Sequence, residues 1–160
     1  MKQRTRSKLI FTALLVFLVS MTFAQKTVTH SDSGLKFDLP DDWTTGQEGD
    51  SFATSDPDQS VLLIFFVGKA ETASALLENI AEELDGVIEE PEITSEEVFE
   101  EEINGLLQVY IEGTGIHQGD EVDFDLTLVV GGPKSMAIIA LGDIDGMQDT
   151  VDEIYSSIRK

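Results

Sequence analysis

The stretch Gly34–Trp43, GLKFDLPDDW, decides how this chain folds. Leu35, Phe37 and Leu39 alternate with Lys36 and Asp38, a period of two that gives a strand one apolar and one polar face. Pro40 lacks the N–H needed to extend a ladder, and Asp41 and Asp42 bring turn chemistry. Trp43, the single tryptophan, follows at once. An indole so placed either packs on the body of the domain or offers a stacking platform to a ligand, and the usual role of large aromatics as core favours packing.

Working outward, Lys26–Ser31 reads as a short extended lead and Ser51–Thr54 as a short strand around Phe52, closed by the turn-rich Ser55–Gln59. Val61–Val67, VLLIFFV, has no polar residue, as expected of a central strand covered on both faces. The period then changes. Ala73, Leu77, Ile80 and Leu84 recur at three- and four-residue steps, with Leu76 beside them. Glu78, Glu82, Glu83 and Asp85 take the opposite side, which predicts one amphipathic helix over Thr72–Asp85, stopped at Gly86.

Four strands are expected next. Glu96–Ile103 is acidic and suits a sheet edge. Leu106–Ile116 carries Gly113 and Gly115, which suggest a bulge or bend. Glu121–Val130 follows the turn His117–Asp120, where Gly119 can take positive φ, and Ser135–Leu141 follows Gly131, Gly132 and Pro133. Met147, Val151, Ile154 and Ile158 line one face of a closing helix. The order β-β-β-α-β-β-β-β-α predicts an α+β fold, an antiparallel sheet with two helices packed on it in an α/β/α-type sandwich.

Residues 1–24 read as a signal peptide: Lys2, Arg4, Arg6 and Lys8, then an apolar core from Leu9 to Val19, then small residues at Thr22 and Ala24. Cleavage is expected between Ala24 and Gln25, leaving residues 25–160 as one domain. The apolar run is short against the roughly 20 residues of a spanning helix. The chain has no cysteine, so neither a lipoprotein anchor nor a disulfide is possible, and no twin arginine is present. Export by the general secretory route to the periplasm or medium is the expectation. Without its leader the protein keeps six bases against 31 acids, a formal charge of −25. Such a surface is a poor partner for nucleic acid or anionic lipid, and nothing left would insert stably in a membrane.

The layout, with Phe37, Leu39, Pro40 and Trp43 as F-x-L-P-x-x-W and a closing helix ending in Ser156, Ser157 and Ile158, resembles the PsbP-like superfamily. That group includes the extrinsic P subunit of photosystem II, a Ran-binding nuclear transport factor and many exported bacterial proteins. The resemblance implies that Trp43 marks the turn after an early strand and packs on the domain. It also implies a non-catalytic binding or assembly role, here with an envelope or secreted protein, and no cofactor.

The residues offer little else as chemistry. No G-x-S-x-G elbow surrounds a serine, and zinc spacing and phosphate loops are lacking. His30 and His117 are the two histidines. His117, with Asp120 and Glu121 to orient it, is the better base for a carboxylate-dependent hydrolase, although a solvated turn residue is the plainer reading. Acid pairs such as Asp41–Asp42, Glu82–Glu83 and Glu100–Glu102 arise by chance at this composition. Leu141–Asp152 partly matches a calcium loop, with Asp143, Asp145, Gly146 and Asp152 at positions three, five, six and twelve, but Leu141 stands where the first acid belongs. That leaves a calcium-dependent module as a lesser alternative. The simpler reading makes Asp145 the N-cap of the last helix, with Gln148 completing a capping box.

Overall fold

The computed structural model describes residues 24–48, 51–95, 98–132 and 134–160. The expected signal peptide therefore lies outside the described residues except for Ala24, as do Glu96 of the expected acidic strand and Pro133 of the expected hairpin. In chain order the elements are β1 (Gln25–Thr29), β2 (Lys36–Pro40), β3 (Thr44–Glu48), β4 (Ser51–Ser55), β5 (Val61–Gly68), α1 (Ala73–Asn79), α2 (Ala81–Asp85), β6 (Glu89–Ile93), β7 (Phe99–Ile103), β8 (Leu106–His117), β9 (Asp120–Val130), β10 (Ser135–Gly142) and α3 (Ile144–Ser156).

An eight-stranded antiparallel sheet runs β3-β4-β5-β10-β9-β8-β6, and β7 pairs the same edge of β8 as β6 does. The 12 residues of β8 are long enough to take β7 along Leu106–Tyr110 and β6 along Gly113–Ile116. The four-strand meander β7-β8-β9-β10 forms as expected, and β10 closes it against β5.

β5 and β10 are central because they bury both faces. Val61, Leu63 and Phe65 with Met136 and Ile138 point to one core, while Ile64 and Phe66 with Ala137 and Ile139 point to the other. The first core is closed by α3 and the β1–β2 hairpin, and the second by Leu76, Ile80 and Leu84 of the α1–α2 segment with Ile88 after it. Helices thus cover opposite faces, giving the α/β/α sandwich. The chain end joins in: Lys36 and Arg159 exchange backbone hydrogen bonds of 2.8 and 2.9 Å. Arg159 also grips the Asp38 carboxylate with two bonds of 2.9 Å.

Several elements differ from expectation, each for a local reason. The extended lead is a strand, β1, paired only with β2. β3 (TTGQE) and β6 (EEPEI) have no alternating apolar face to betray them. Both lie at sheet edges, where backbone pairing with one neighbour suffices and charge or proline is tolerated. The helix expected over Thr72–Asp85 bends at Ile80 (φ −102°, ψ 3°) into α1 and α2. Its ladder continues through the bend, Ile80 N–H to Leu76 O at 3.1 Å and Leu84 N–H to Ile80 O at 2.8 Å, so the apolar row stays on the sheet.

The register irregularity near Gly113 and Gly115 is on β6, between Glu89 and Glu92, and not on β8. The glycines serve close approach instead: a Cβ at Gly113 would sit 2.4 Å from the Phe124 ring, and one at Gly115 would sit 2.2 Å from Ile88.

Candidate functional site

The sheet face beneath α3 is not apolar throughout. On β8 and β9 the period of two brings Tyr110, Glu112, Asp125 and Thr127 to it, and the register sets Tyr110 opposite Thr127 and Glu112 opposite Asp125. β7 adds Phe99, Glu101 and Ile103. Its position depends on the turn Asn104–Gly105, whose φ values of 53° and 71° are both left-handed, as a two-residue hairpin requires. The Asn104 amide donates to the carbonyls of Ser156 and Ile158, both at 2.9 Å, and so ties that turn to the end of α3.

From above, α3 presents Gln148, Val151, Asp152 and Tyr155, and a cleft of about 420 Å³ lies between helix and strands. Its floor is held by buried Gln108, whose amide donates to Tyr155 O at 2.9 Å while its oxygen accepts from Tyr110 OH at 2.8 Å. Tyr110 stands 5.8 Å from the ring of Phe99 and 6.3 Å from that of Tyr155. Phe99 is 62% exposed at the mouth of the cleft.

The electrostatics are lopsided. Burial pushes the Asp125 carboxyl up to about 6, helped by the negative field of Glu112, Asp145, Asp152 and Asp123. Burial, with Glu101 and Asp152, pushes the Tyr110 phenol up to about 12. Burial pushes the Tyr155 phenol up, and the neighbouring Thr127 hydroxyl opposes the rise. Tyr155 (4% exposed) and Thr127 (1%) are buried, their hydroxyls sealed from solvent beside one another. No lysine or arginine occurs between Lys69 and Lys134, or between Lys134 and Arg159. The elements around the cleft therefore bring no cation. The one ion pair among the described residues is Arg159 with Asp38, on β2.

The residues singled out in the sequence lie elsewhere. Phe37, Leu39 and Trp43 are core residues, Trp43 being 3% exposed, and Pro40 ends β2. The Lys26 ammonium donates to the Trp43 carbonyl. Gln25 begins β1, and the carbonyl of Ala24 accepts from Asp41 N–H at 3.0 Å. His30 is buried beside Phe52 and Phe65, with Nδ1 2.9 Å from Ser33 Oγ, and burial lowers its pKa.

His117 lines a surface hollow of about 330 Å³ with Glu48, Asp85 and Glu89. Its Nδ1 is set by the Val87 carbonyl at 2.8 Å, not by Asp120 or Glu121. The helix cap is also corrected. Asp143 caps α3, accepting from Gly146 N–H at 3.1 Å, whereas Asp145 lies in the first turn and Gln148 donates to Asp152 at 2.9 Å. Because Ile144–Ser156 is continuous helix, Asp145, Gly146 and Asp152 cannot wrap an ion as a calcium loop does. Among the described residues no three carboxylates or histidines converge as a metal site.

The cleft residues escaped the sequence because Val122, Phe124, Leu126, Leu128 and Val130 mark one face of β9 as core. Asp125 and Thr127 then read as solvent-facing. The usable signal was Asn104–Gly105, which fixes the β7–β8 register and hence which side chains face α3.

By sequence, the chain matches no family model and no curated protein. By structure, its fold is the PsbP-like α+β sandwich. The solution structure of cyanobacterial PsbP (CyanoP) from Synechocystis superposes with a TM-score of 0.59 at 12% identity, over 85% of this chain and 92% of that one. A crystal structure from Bacteroides thetaiotaomicron gives 0.51 at 16% identity, over 78% of this chain and 44% of that one. LpqN of Mycobacterium tuberculosis, described as involved in cell envelope biogenesis, gives 0.49 at 14% identity, over 85% and 90%. At these identities the likeness is one of fold.

Proposed function

We propose that this chain is an exported, non-catalytic binding module of the cell envelope that engages a partner protein at the cleft between α3 and β7–β9. One observation carries the reading. The cleft sets an exposed phenylalanine beside carboxylates and tyrosine rings, with no lysine or arginine among the surrounding elements, an anchor and charges that a partner would complement. The two tyrosines, with pKa values raised, remain neutral phenols at physiological pH and act as hydrogen-bonding walls rather than bases. Export rests on the basic, apolar and small-residue sequence before Gln25. In keeping with a surface module, no helix among the described residues is long and apolar enough to cross a membrane.

The test is site-specific photo-crosslinking in the producing cell, with the probe at Phe99 or, on the opposite face of the sheet, at Glu82. A discrete product from Phe99 only, lost on Asp125→Asn, is expected. Equal labelling from both positions, or none from Phe99, would sink the reading.

A second reading, a carboxylate-dependent hydrolase, is favoured by one feature: Asp125, pushed up to about 6, faces Glu112 across the sheet. A carboxyl with a raised pKa facing a second carboxyl group is the arrangement of general-acid catalysis. Hydrolysis of chromogenic glycosides or esters, abolished by Asp125→Asn, would establish it; no turnover across such a panel would end it.

A further inference from the structure

Asn104 and Gly105 form the exposed turn between β7 and β8. Asparagine is among the chemically labile residues, and its side chain is most open to backbone attack when glycine follows, since glycine has no side chain to shield its nitrogen. The Gly105 N–H makes no hydrogen bond among the described residues, and a Cβ built on Gly105 would meet nothing within 4 Å. Nucleophile and space are therefore both present. Asn79, the other asparagine of the chain, is held differently. It ends α1, and the N–H that follows it, that of β-branched Ile80, donates to Leu76 O at 3.1 Å.

The Asn104 amide also does what its hydrolysis product cannot. The last carbonyls of a helix lack donors of their own, and α3 carries no base in its last turn. The Asn104 amide nitrogen donates to Ser156 O and to Ile158 O, at 2.9 Å each. An ionised carboxylate in its place has no hydrogen to give. It would face two carbonyl oxygens and add negative charge at the negative end of the helix dipole.

We propose that Asn104 is a site of spontaneous deamidation and that its conversion unfastens α3 from the β7–β8 turn. The Gly105 nitrogen attacks Asn104 Cγ and a C–N bond forms. The bond from Cγ to the amide nitrogen breaks, and ammonia leaves carrying the proton from Gly105. Water then opens the cyclic imide at either carbonyl, giving aspartate or isoaspartate. The side chain must let go of its two acceptors to reach Gly105, so ring closure follows a brief release of the last turn of α3. Afterwards the tie cannot re-form. Isoaspartate also adds a backbone carbon to a turn fitted to two residues. The inference concerns the lifetime of the cleft and stands whether or not a partner docks there.

The protein as its cells produce it is held at mildly alkaline pH and sampled over time. Cleavage after glutamates frees residues 103–112 and residues 79–82 as separate peptides, each with one asparagine. Mass and enzymatic isoaspartyl methylation then score the two sites side by side. Asn104 is expected to convert progressively, with matching release of ammonia, while Asn79 stays intact. Hydrogen exchange should rise in step over Phe99–Ile103 and the last turn of α3, with β5 and β10 still protected. Protection there should fall about tenfold, the loss expected for two tying hydrogen bonds.

Freshly made Asn104→Asp should show the raised exchange from the start. Asn104→Gln, whose longer side chain closes the corresponding ring far more slowly, should show no rise on ageing. Conversion of Asn104 no faster than Asn79 would overturn the site. Conversion without any change in exchange, or an equal rise in aged Asn104→Gln, would overturn the unfastening of α3. Should Asn104→Asp fail to fold, the aged native protein decides both points by itself.

Discussion

Trp43 and Asp125 represent the two ways one residue matters in this domain. Trp43 is buried in the core formed by β2, the sheet and α3. Truncating a buried aromatic to alanine costs roughly 3–5 kcal/mol through lost transfer energy and the cavity left behind. Trp43→Ala is therefore expected to lower the denaturation midpoint steeply. Phe99→Ala, at a 62% exposed position, should scarcely move it. A Trp43→Ala protein that melts normally but loses a partner would place the indole in a site.

Asp125 acts through its proton. Its folded pKa, about 6, lies above the ordinary 3.8, so between these values the folded state holds a proton that the unfolded chain releases. Stability falls as pH rises through that window, and the penalty is complete above it. The groups facing Asp125 are Glu112, Glu101, Asp123, Asp145 and Asp152, with the neutral phenols of Tyr110 and Tyr155. Asp125→Asn should stabilise the domain at pH 7 by on the order of 1 kcal/mol, a figure reduced for solvent screening of this part-exposed group. The gain should vanish near pH 4. A gain independent of pH would remove the titration from the account. Asp38 works in the opposite sense: Arg159 holds its pKa down, so its contribution is lost as pH falls through the folded value.

At the scale of elements, α3 is the piece on which the cleft depends. It begins at the Asp143 cap and ends where Asn104 and Gln108 bind its last turn. Removing a side-chain N-cap costs about 1 kcal/mol. Asp143→Ala should show such a loss by chemical denaturation, while Asp145→Ala, in the first turn, should cost only a few tenths through the helix dipole. Equal effects would return the cap to Asp145.

Asn104→Ala tests the other end. It removes two hydrogen bonds and a residue suited to φ of 53°. It should therefore loosen the β7–β8 turn and expose the cleft, raising hydrogen exchange in Phe99–Ile103 ahead of the central strands. Uniform exchange across the sheet would contradict that local role.

For the whole molecule the dominant quantity is charge. At −25 for residues 25–160, like charges crowd a small domain, and the penalty relaxes in the expanded unfolded chain. Melting in sodium chloride from about 10 mM to about 1 M shortens the screening length from roughly 30 to 3 Å, and stability should rise along that series. Calcium matched for ionic strength should behave like sodium, since α3 occupies the residues of the would-be loop. A flat sodium series with a saturable calcium response would reject diffuse repulsion. Intact mass of protein recovered from the periplasm or medium should correspond to the expected start at Gln25, which keeps β1 whole and gives up only the Ala24 carbonyl contact to Asp41.

What the sequence determined by itself was everything carried by periodicity and by strong punctuation. The two-faced apolar strand at Val61–Val67, the alternation around Phe37, the apolar rows at Leu76–Leu84 and Val151–Ile158, and the meander were legible because burial repeats with the period of the element. β3 and β6 were not, because edge strands are held by backbone hydrogen bonds that every residue can make. The cleft was decided by tertiary structure alone. Strand alternation states that Asp125 and Thr127 share a face, but not whether water or a helix covers it. Only when Asn104 and Gln108 fasten α3 across β8 and β9 do an acid pair, two tyrosine rings and an exposed phenylalanine line one cleft.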